Sequence, residues 1–396
     1  MKKYKRIFVI VMDSLGIGAM DDAQRFDDEG ANTFVHIAET CGGLNIPNLN
    51  SLGINDLAPI LGTNKVMHPN SYSLILNEAS NGKDTMTGHW EMMGILTTKP
   101  FKTFTDTGFP PSLIKELEEK TGRKVIGNYA SSGTEILKEL GEEQLKTGHL
   151  IVYTSADSVL QIAGHEEVIG LDNLYKYCEI AREICLKPEY LLGRIIARPY
   201  LGTSKDTFKR TSNRHDYALS PTGITALDIL KENGYEVSCI GKIFDIFNGA
   251  GATKTQKTSS NEDGMNKTIL EAMNEDYEGI CFVNLVEFDS EYGHRRDPKG
   301  YGACIESFDK QLGELLKVLK DDDLLLITAD HGNDPTFKGT DHTRERVPLL
   351  VYSKLIDDGK FLGSRNSFAD IGATILENFG LNKDDSMIGV TIKEIL

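Results

Sequence analysis

The sequence predicts an α/β fold in which helices flank a core sheet and a second α/β domain is inserted. Short, continuous apolar runs alternate with amphipathic stretches of helical period, such as residues 305–319. Continuous apolar runs are typical of parallel strands that are covered on both faces. The runs that matter most lie at residues 7–12, 280–286, 324–327 and 347–351. This alternation of strand and helix patterns indicates a layered α/β core.

The middle of the chain has a pattern of its own. It contains strand-like runs at 150–153 and 195–197, a helix-like run at 111–120 and several arginines. We therefore predict a discontinuous catalytic core and an inserted cap domain, with residues 1–99 and 219–396 in the core and residues 100–218 in the cap. Residues 249–267 are rich in Gly, Thr, Ser and Asn, which predicts a loop.

Composition excludes several classes of partner. The chain has 396 residues and a formal net charge of -16, and so acidic a surface repels nucleic acid and anionic lipid. The apolar run at 7–12 is too short for a membrane span. The six cysteines form no CxxC pair, so free thiols are expected. We expect a cytoplasmic monomer without nucleic-acid or membrane partners.

Polar residues follow three of the predicted strands. Asp13 follows the first run, Asp289 and His294 follow the second, and the pair Asp330-His331 follows the third. Ligands of open α/β sheets bind beyond the carboxyl ends of the strands. Three such strand ends from distant parts of the sequence therefore predict one shared site.

The residue types at these strand ends favour metal ions. Carboxylates mixed with imidazoles suit Mn²⁺ or Zn²⁺, and the carboxylate share favours Mn²⁺. Two ions about 4 Å apart can clamp the attacking and leaving oxygens of a phosphoryl transfer. Taken singly, Asp13 could cap a helix and Asp330-His331 could form a turn. The co-occurrence supports metal binding by Asp13, Asp289, His294, Asp330, His331 and His342.

A candidate nucleophile lies in residues 82–91. This segment contains two threonines, a lysine, a histidine and the only tryptophan. A threonine hydroxyl is a poor nucleophile unless a metal or base activates it, which a nearby metal site would do. The simpler alternative is a helix start capped by Asp84 or Thr85. The chemistry alone does not choose Thr85 over Thr87.

Seven segments carry a family resemblance that spans essentially the whole chain. They include GKDTMTGHWE at 82–91 and ITADHGND at 327–334, and the others lie at 11–18, 153–161, 213–218, 293–298 and 339–345. With these segments the chain resembles the phosphopentomutases of the alkaline phosphatase superfamily. The resemblance implies an alkaline-phosphatase-like core sheet. It also implies interconversion of (deoxy)ribose 1-phosphate and (deoxy)ribose 5-phosphate, with a small-molecule sugar phosphate as partner.

The resemblance also implies roles for individual residues. Thr85 would become a phosphothreonine beside two Mn²⁺ ions, and a sugar bisphosphate such as glucose 1,6-bisphosphate would act as activator. One ion would be held by Asp289, His294 and His342, and the other by Asp13, Asp330 and His331. The sugar phosphate would contact Ser155, Asp157, Arg194, Arg210 and Lys242.

Three further residues are left open by this comparison. Arg198 and Arg214 lie close to the cap arginines in sequence and could share their role. Glu287 stands where the family often has Asp, and we expect it to support the metal ligands from outside the site.

Other functions remain open from the sequence. A cofactor-independent phosphoglycerate mutase would share the metals but use a serine nucleophile, and a phosphatase would release free phosphate. A metal-binding protein without activity is a third reading, although the complete ligand set stands against it.

Overall fold

The computed structural model describes residues 3–155, 158–274 and 276–396, and its strands follow the apolar runs of the sequence. In chain order the strands are β1 (Arg6–Met12), β2 (Ser71–Leu76), β3 (Val125–Ala130), β4 (Leu150–Thr154), β5 (Val159–His165), β6 (Arg194–Leu201), β7 (Lys209–Arg210), β8 (His215–Ala218), β9 (Glu236–Ile240), β10 (Lys254–Gln256), β11 (Gly279–Leu285), β12 (Asp323–Thr328), β13 (Val347–Tyr352) and β14 (Phe361–Arg365). The α-helices are α1 (Thr33–Cys41), α2 (Pro47–Ser51), α3 (Thr85–Met92), α4 (Pro111–Thr121), α5 (Gly133–Thr147), α6 (Leu171–Ile184), α7 (Ala226–Glu232), α8 (Ile243–Ile246), α9 (Asn261–Asn274), α10 (Pro298–Val318) and α11 (Asp370–Asn378).

The chain divides into two units. One comprises Met1–Lys99 and Ser220–Leu396, and the other is Pro100–Leu219. The predicted end of the inserted domain, residue 218, lies one residue before the end of the second unit.

The first unit is built on one large sheet with the strand order β10-β9-β11-β1-β12-β13-β2-β14. The central strand β1 pairs in parallel with β11 on one side and β12 on the other. Every residue of these three strands is buried, so helices cover both faces of the sheet. Helix α10 packs against α1, α2 and α9, while α11 packs against α3 and α7. The predicted α/β class is confirmed.

Two details of the first unit correct the sequence expectations. β13 runs antiparallel to both β12 and β2. The chain joins β12 to β13 without the crossover helix that parallel neighbours require. The predicted loop at 249–267 is wrong in part, because 254–256 form β10 and α9 begins at Asn261. β10 has only three residues and the first turn of α9 is polar, so neither shows the apolar period that predicts a strand or a helix.

The parallel strands place their carboxyl ends at one edge of the sheet. Met12 of β1 lies beside Leu285 of β11, and Val11 lies beside Thr328 of β12. The residues that follow these strands therefore leave the sheet close together. This edge carries the candidate site.

The second unit has a sheet of its own with the order β3-β4-β5-β6-β7, and β8 pairs with β6 on the same edge. Residues on one face, including Leu160 and Ile195, pack against α4 and α6. Residues on the other face, including Tyr153 and Tyr200, pack with Ile136 and Leu137 of α5. The predicted runs at 150–153, 195–197 and 111–120 lie in β4, β6 and α4.

Two further findings concern the whole described chain. Within it, no helix is both long and apolar enough to cross a membrane. All six cysteines are free thiols, as expected, and four of them are buried.

Candidate metal centre

Three histidines beyond the strand ends use the same ring nitrogen, Nδ1, to contact a backbone carbonyl. Nδ1 of His294, His331 and His342 lies 2.8 Å, 3.0 Å and 3.0 Å from the backbone carbonyls of Thr340, Gly332 and Lys83. A carbonyl only accepts, so each Nδ1 carries the hydrogen and each Nε2 presents a lone pair. The Nε2 atoms of His294 and His342 are 3.1 Å apart. Two facing lone pairs require a cation or a proton between them.

Carboxylates complete two groups of possible metal ligands. Asp289, His294 and His342 form the first group, and Asp13, Asp289 and His331 form the second, with the ligand atoms of each group within 4.8 Å of one another. Asp289 lies at the junction of the two groups. It follows β11 in a single π-helical turn, Phe288–Gly293, which aims the side chain at the site.

Asp330 also lies at the site, although it belongs to neither group. Its Oδ2 atom is 3.4 Å from Nε2 of His331, and its Oδ1 accepts a hydrogen bond from the backbone N–H of Ser14. Asp13 Oδ1 lies 3.5 Å from the same His331 nitrogen. Among the described residues, neither Asp13 Oδ1 nor Asp330 Oδ2 has a well-aligned hydrogen bond, and both are buried, although Nδ1 of His89 lies 3.2 Å from Asp330 Oδ2. Such orphaned carboxylate oxygens fit a divalent cation.

Burial and neighbouring charges shift the pKa values of two of these carboxylates. Burial, reinforced by the nearby Asp330 and Asp289, raises the pKa of Asp13 well above its usual value. Burial would also raise the pKa of Asp289, but the neighbouring His342 and His294 outweigh it and hold that pKa well below the usual value. Three buried carboxylates within reach of one another are stable together only with cationic partners.

Helix α3 brings a threonine hydroxyl to this centre. Asp84 is the N-cap and accepts a hydrogen bond from the backbone N–H of Thr87. The Thr87 hydroxyl is also bonded to Asp84, at 2.6 Å, so it is occupied within the cap. Thr85 is half-buried, and its Oγ1 lies 3.2 Å from Nε2 of His331. The structure thus separates the two threonines that chemistry alone did not.

The segment before Thr85 is fastened to the loop that carries His342. Lys83 forms ion pairs with Asp28 at 3.0 Å and with Asp341 at 3.1 Å, and its carbonyl accepts from His342. The buried Arg344 donates to the carbonyl of Gly82. A Cβ at Gly88 would lie 2.1 Å from the carbonyl oxygen of Asp330, so α3 approaches the end of β12 this closely only because that residue is glycine.

The predicted substrate-binding residues divide between the two units. Ser155, Arg194 and Arg210 belong to the second unit, and Lys242 belongs to the first. Asp157 lies outside the described residues. The positive charge of Lys242 acts on Asp13, where it partly offsets the rise in pKa that burial causes.

Arginines of the second unit line a cavity of about 590 Å³. Its lining includes Arg198, Arg210 and Arg214. Arg198 donates through Nε to Gln161 at 2.9 Å, and Arg214 forms a bidentate pair with Asp216 at 2.7 and 2.6 Å. Burial and the charge of Arg214 lower the pKa of Arg198. A cluster of guanidinium groups in an otherwise acidic chain suits an anion.

Among the described residues, Glu287 contacts Asn261 and not the candidate metal ligands, so the expectation from the sequence is wrong. The Glu287 carboxylate accepts a hydrogen bond from the backbone N–H of Asn261 at 2.6 Å, and the Asn261 side chain accepts from the N–H of Glu287. Glu287 therefore fastens the start of α9. Two amide side chains contact the candidate ligand carboxylates: Asn284 donates to Asp13 at 2.8 Å, and Asn333 donates to Asp289 at 2.8 Å. The sequence contains a signal for the contact of Asn284 with Asp13, because this asparagine interrupts the otherwise apolar run 280–286.

Comparisons with known proteins agree with this geometry. The profile of the Metalloenzyme superfamily matches residues 5–383. The chain is 58% identical to a phosphopentomutase of Clostridium botulinum over 396 residues, covering 100% of both chains. It is 57% identical to a phosphopentomutase of Clostridium beijerinckii over 392 residues, covering 99% of both. A solved structure of a Pyrococcus horikoshii protein shares the fold, with a TM-score of 0.50 at 14% identity, covering 97% of this chain and 99% of that one.

Proposed function

The chain belongs to the phosphopentomutase family of isomerases, and from that premise we propose that it interconverts (deoxy)ribose 1-phosphate and (deoxy)ribose 5-phosphate through a phosphothreonine at Thr85. The observation that carries the proposal is the hydroxyl of Thr85, which lies 3.2 Å from Nε2 of His331, a member of one of the two candidate ligand groups. A threonine becomes an effective phosphoryl carrier only where its oxygen is activated. The alternative hydroxyl, that of Thr87, is bonded to Asp84.

For the metal ligands we propose the division that the family resemblance implies. Asp289, His294 and His342 would hold one ion, and Asp13, Asp330 and His331 would hold the other. The mixture of carboxylates and imidazoles favours Mn²⁺. When bound, such ions supply the positive charge that stabilises the transferring phosphoryl oxygens.

The transfer proceeds in two steps whose atoms balance. The bond from phosphorus to the Thr85 oxygen breaks while a bond forms to the free hydroxyl of the bound sugar monophosphate, and the hydroxyl proton ends on Thr85. The product is a sugar bisphosphate. Its other phosphate then returns to Thr85 by the reverse step, which leaves the isomeric monophosphate and no net hydrolysis. A bisphosphate such as glucose 1,6-bisphosphate would load Thr85 in the resting enzyme.

The proposed substrate-binding residues are those that the family resemblance implies. Arg194, Arg210 and Lys242 would bind phosphate, because guanidinium groups engage phosphate oxygens in pairs and lysine adds a point charge. Ser155 and Asp157 would hold sugar hydroxyls. We add Arg198 to the phosphate-binding set, since it lines the same cavity as Arg210 and its bond to Gln161 uses Nε. Arg214, already paired with Asp216, would orient that carboxylate beside Arg194.

The decisive experiment combines intact mass with a mutase assay. Wild-type enzyme incubated with Mn²⁺ and glucose 1,6-bisphosphate should gain the mass of one phosphoryl group, and Thr85→Ala should gain none. Conversion of ribose 1-phosphate to ribose 5-phosphate should fall by about 10³-fold or more in Thr85→Ala, the scale on which the loss of a nucleophile acts. Thr85→Ser is the matched control and should still be loaded. Substantial mutase activity in Thr85→Ala, or release of free phosphate as the main product, contradicts the proposal.

A further inference from the structure

Two buried polar side chains stand behind the metal ligands and belong to neither ligand group. His89 lies on α3, one turn after Thr85, and Asn284 lies near the end of β11. Both side chains are almost fully buried. We propose that His89 and Asn284 are positioning residues that link the backbone of Thr85 to the carboxylate of Asp13 through one chain of hydrogen bonds. This inference rests on the proposed roles of Thr85 and Asp13.

The first link fixes the state of the imidazole. Nδ1 of His89 lies 2.9 Å from the carbonyl oxygen of Thr85 and 3.2 Å from Oδ2 of Asp330, and both oxygens only accept. The hydrogen of the neutral ring is therefore on Nδ1, and Nε2 is left as an acceptor. The ring is held in place by Phe282 of β11, with ring centroids 5.8 Å apart.

The second link uses both hydrogens of one amide. Asn284 Nδ2 lies 3.3 Å from Nε2 of His89 and 2.8 Å from Oδ2 of Asp13. One hydrogen can serve the imidazole and the other the carboxylate. A neutral side chain without two donors could not make this bridge. The bridge therefore depends on the amide of Asn284.

The bridge decides which oxygen of Asp13 faces the metal centre. Oδ2 is held by Asn284, while Oδ1 accepts no hydrogen bond from the described residues and lies 3.5 Å from Nε2 of His331. The amide oxygen of Asn284 is itself buried without a described hydrogen-bond partner. A buried amide oxygen without a hydrogen bond lowers the stability of the folded protein. A contribution to stability therefore does not explain why this strand contains Asn284.

The bridge therefore couples the orientation of Thr85, the proposed nucleophile, to that of Asp13, a proposed metal ligand. If the Asp13 carboxylate rotates, Asn284 and His89 shift through their hydrogen bonds, and the backbone carbonyl of Thr85 shifts with them. Outer partners of this kind change metal affinity or activity by about 10–100-fold when removed. We expect His89 and Asn284 to act at that scale although neither one contacts the substrate.

The test removes the bridge and keeps the volume. Asn284→Leu should bind one of its two Mn²⁺ equivalents about 10–100-fold more weakly in calorimetric titration. Its kcat should fall by a similar factor, while KM for ribose 1-phosphate stays constant. Asn378→Leu is the matched control, because Asn378 is buried and bonds only to the backbone of residues 3 and 4 among described partners. It should change neither Mn²⁺ affinity nor kcat in the folded protein.

His89 supplies a rescue that separates positioning from general packing. His89→Asn keeps an N–H that can reach the Thr85 carbonyl, whereas His89→Leu does not. Phosphoryl loading from glucose 1,6-bisphosphate, followed by intact mass, should therefore be faster in His89→Asn than in His89→Leu. Equal loading rates in the two variants contradict the His89 link.

The outcomes distinguish this inference from the proposed function. If Asn284→Leu binds both ions as wild type does while Thr85→Ala is inactive, the bridge is wrong and the phosphothreonine stands. If Thr85→Ala is active, the proposed mechanism fails whatever Asn284 does. Should Asn284→Leu fail to fold, Asn284→Ser replaces it, since one hydroxyl hydrogen cannot serve both His89 and Asp13. Unchanged Mn²⁺ affinity in Asn284→Ser overturns the inference equally.

Discussion

The two ends of strands β1 and β12 bury charge in opposite ways. At the amino ends, Arg6 and Asp323 are register partners and form a bidentate pair at 2.8 and 2.6 Å. Arg6 also donates to the carbonyl of Ala272, so the pair is satisfied within the protein. At the carboxyl ends of the same strands, Asp13 and Asp330 each keep a buried oxygen without a described hydrogen bond. The first end is complete as folded, and the second is complete only with a cation.

This difference separates structural from functional charge more clearly than burial does. All four side chains are almost fully buried. At the amino end, the loss of either partner would leave the other charge buried without compensation and would destabilise the fold. Clustered carboxylates at the other end disfavour the metal-free fold, and proteins retain such strain at sites that bind.

Removing a carboxylate from the functional end should have the largest effect. Asp13→Asn should lower kcat/KM for ribose 1-phosphate with Mn²⁺ by about 10²–10⁴-fold, since a metal ion contributes several kcal/mol to such a step. Urea unfolding in the presence of a chelator should show equal or greater stability than wild type, because a buried carboxylate with a raised pKa has been neutralised. A variant that unfolds more easily than wild type without metal would contradict this contrast.

Breaking the structural end should act on stability alone. Arg6→Met leaves Asp323 buried and unpaired and should lower the free energy of unfolding by about 3–5 kcal/mol. The kcat of the folded enzyme should stay at the wild-type value. The double variant Arg6→Met/Asp323→Leu should recover most of the lost stability, because it buries no unpaired charge. Loss of kcat in folded Arg6→Met would show that the two ends are not independent.

Metal addition should stabilise the protein through one end only. Free Mn²⁺ at 100 times its dissociation constant should raise the free energy of unfolding by about 2.7 kcal/mol per site. Arg6→Met should gain as much as wild type, and Asp13→Asn should gain less. Thermal melts with Mn²⁺ and with chelator measure both gains. Equal gains in wild type and Asp13→Asn would remove Asp13 from the ligand set.

The smallest effect is expected at an exposed pair beside Arg6. Lys5 lies 2.7 Å from Asp276, but the Asp276 side chain is 71% exposed. Water and salt screen such a pair, so Asp276→Ala should leave the urea midpoint unchanged within error. A clear loss of stability would mean that position along the strand, and not burial, decides what an ion pair contributes.

The sequence predicted the parts of the fold that rest on apolar runs. β1, β11 and β12 were recognisable because each is buried on both faces and has no polar face to interrupt the run. The direction of β13 was not recognisable, since an apolar run reads the same in either direction and only the connection decides its orientation. β10 was missed because a three-residue edge strand is defined by its pairing with β9 and carries no pattern of its own.

The part of the site that could be predicted from the sequence is the part that residue types alone indicate. Carboxylates and imidazoles after three strands indicated metal ligands, and the structure brings Asp13, Asp289 and His331 together. Our proposal of Thr85 over Thr87 needed the helix cap, in which the Thr87 hydroxyl is bonded to Asp84. Glu287 looked like a supporting residue but turns to α9, because the strand ends two residues earlier and the next turn points its side chain away.

The order of strands in the core sheet has a consequence for how the chain is made. Central β1 leaves the ribosome first, yet its partners β11 and β12 begin at Gly279 and Asp323. The inserted unit, Pro100–Leu219, is continuous and has both of its hydrophobic clusters within itself. It can therefore fold while the core still waits for its central pairings. During synthesis the apolar strand β1 therefore stays without its sheet neighbours β11 and β12 until most of the chain has emerged.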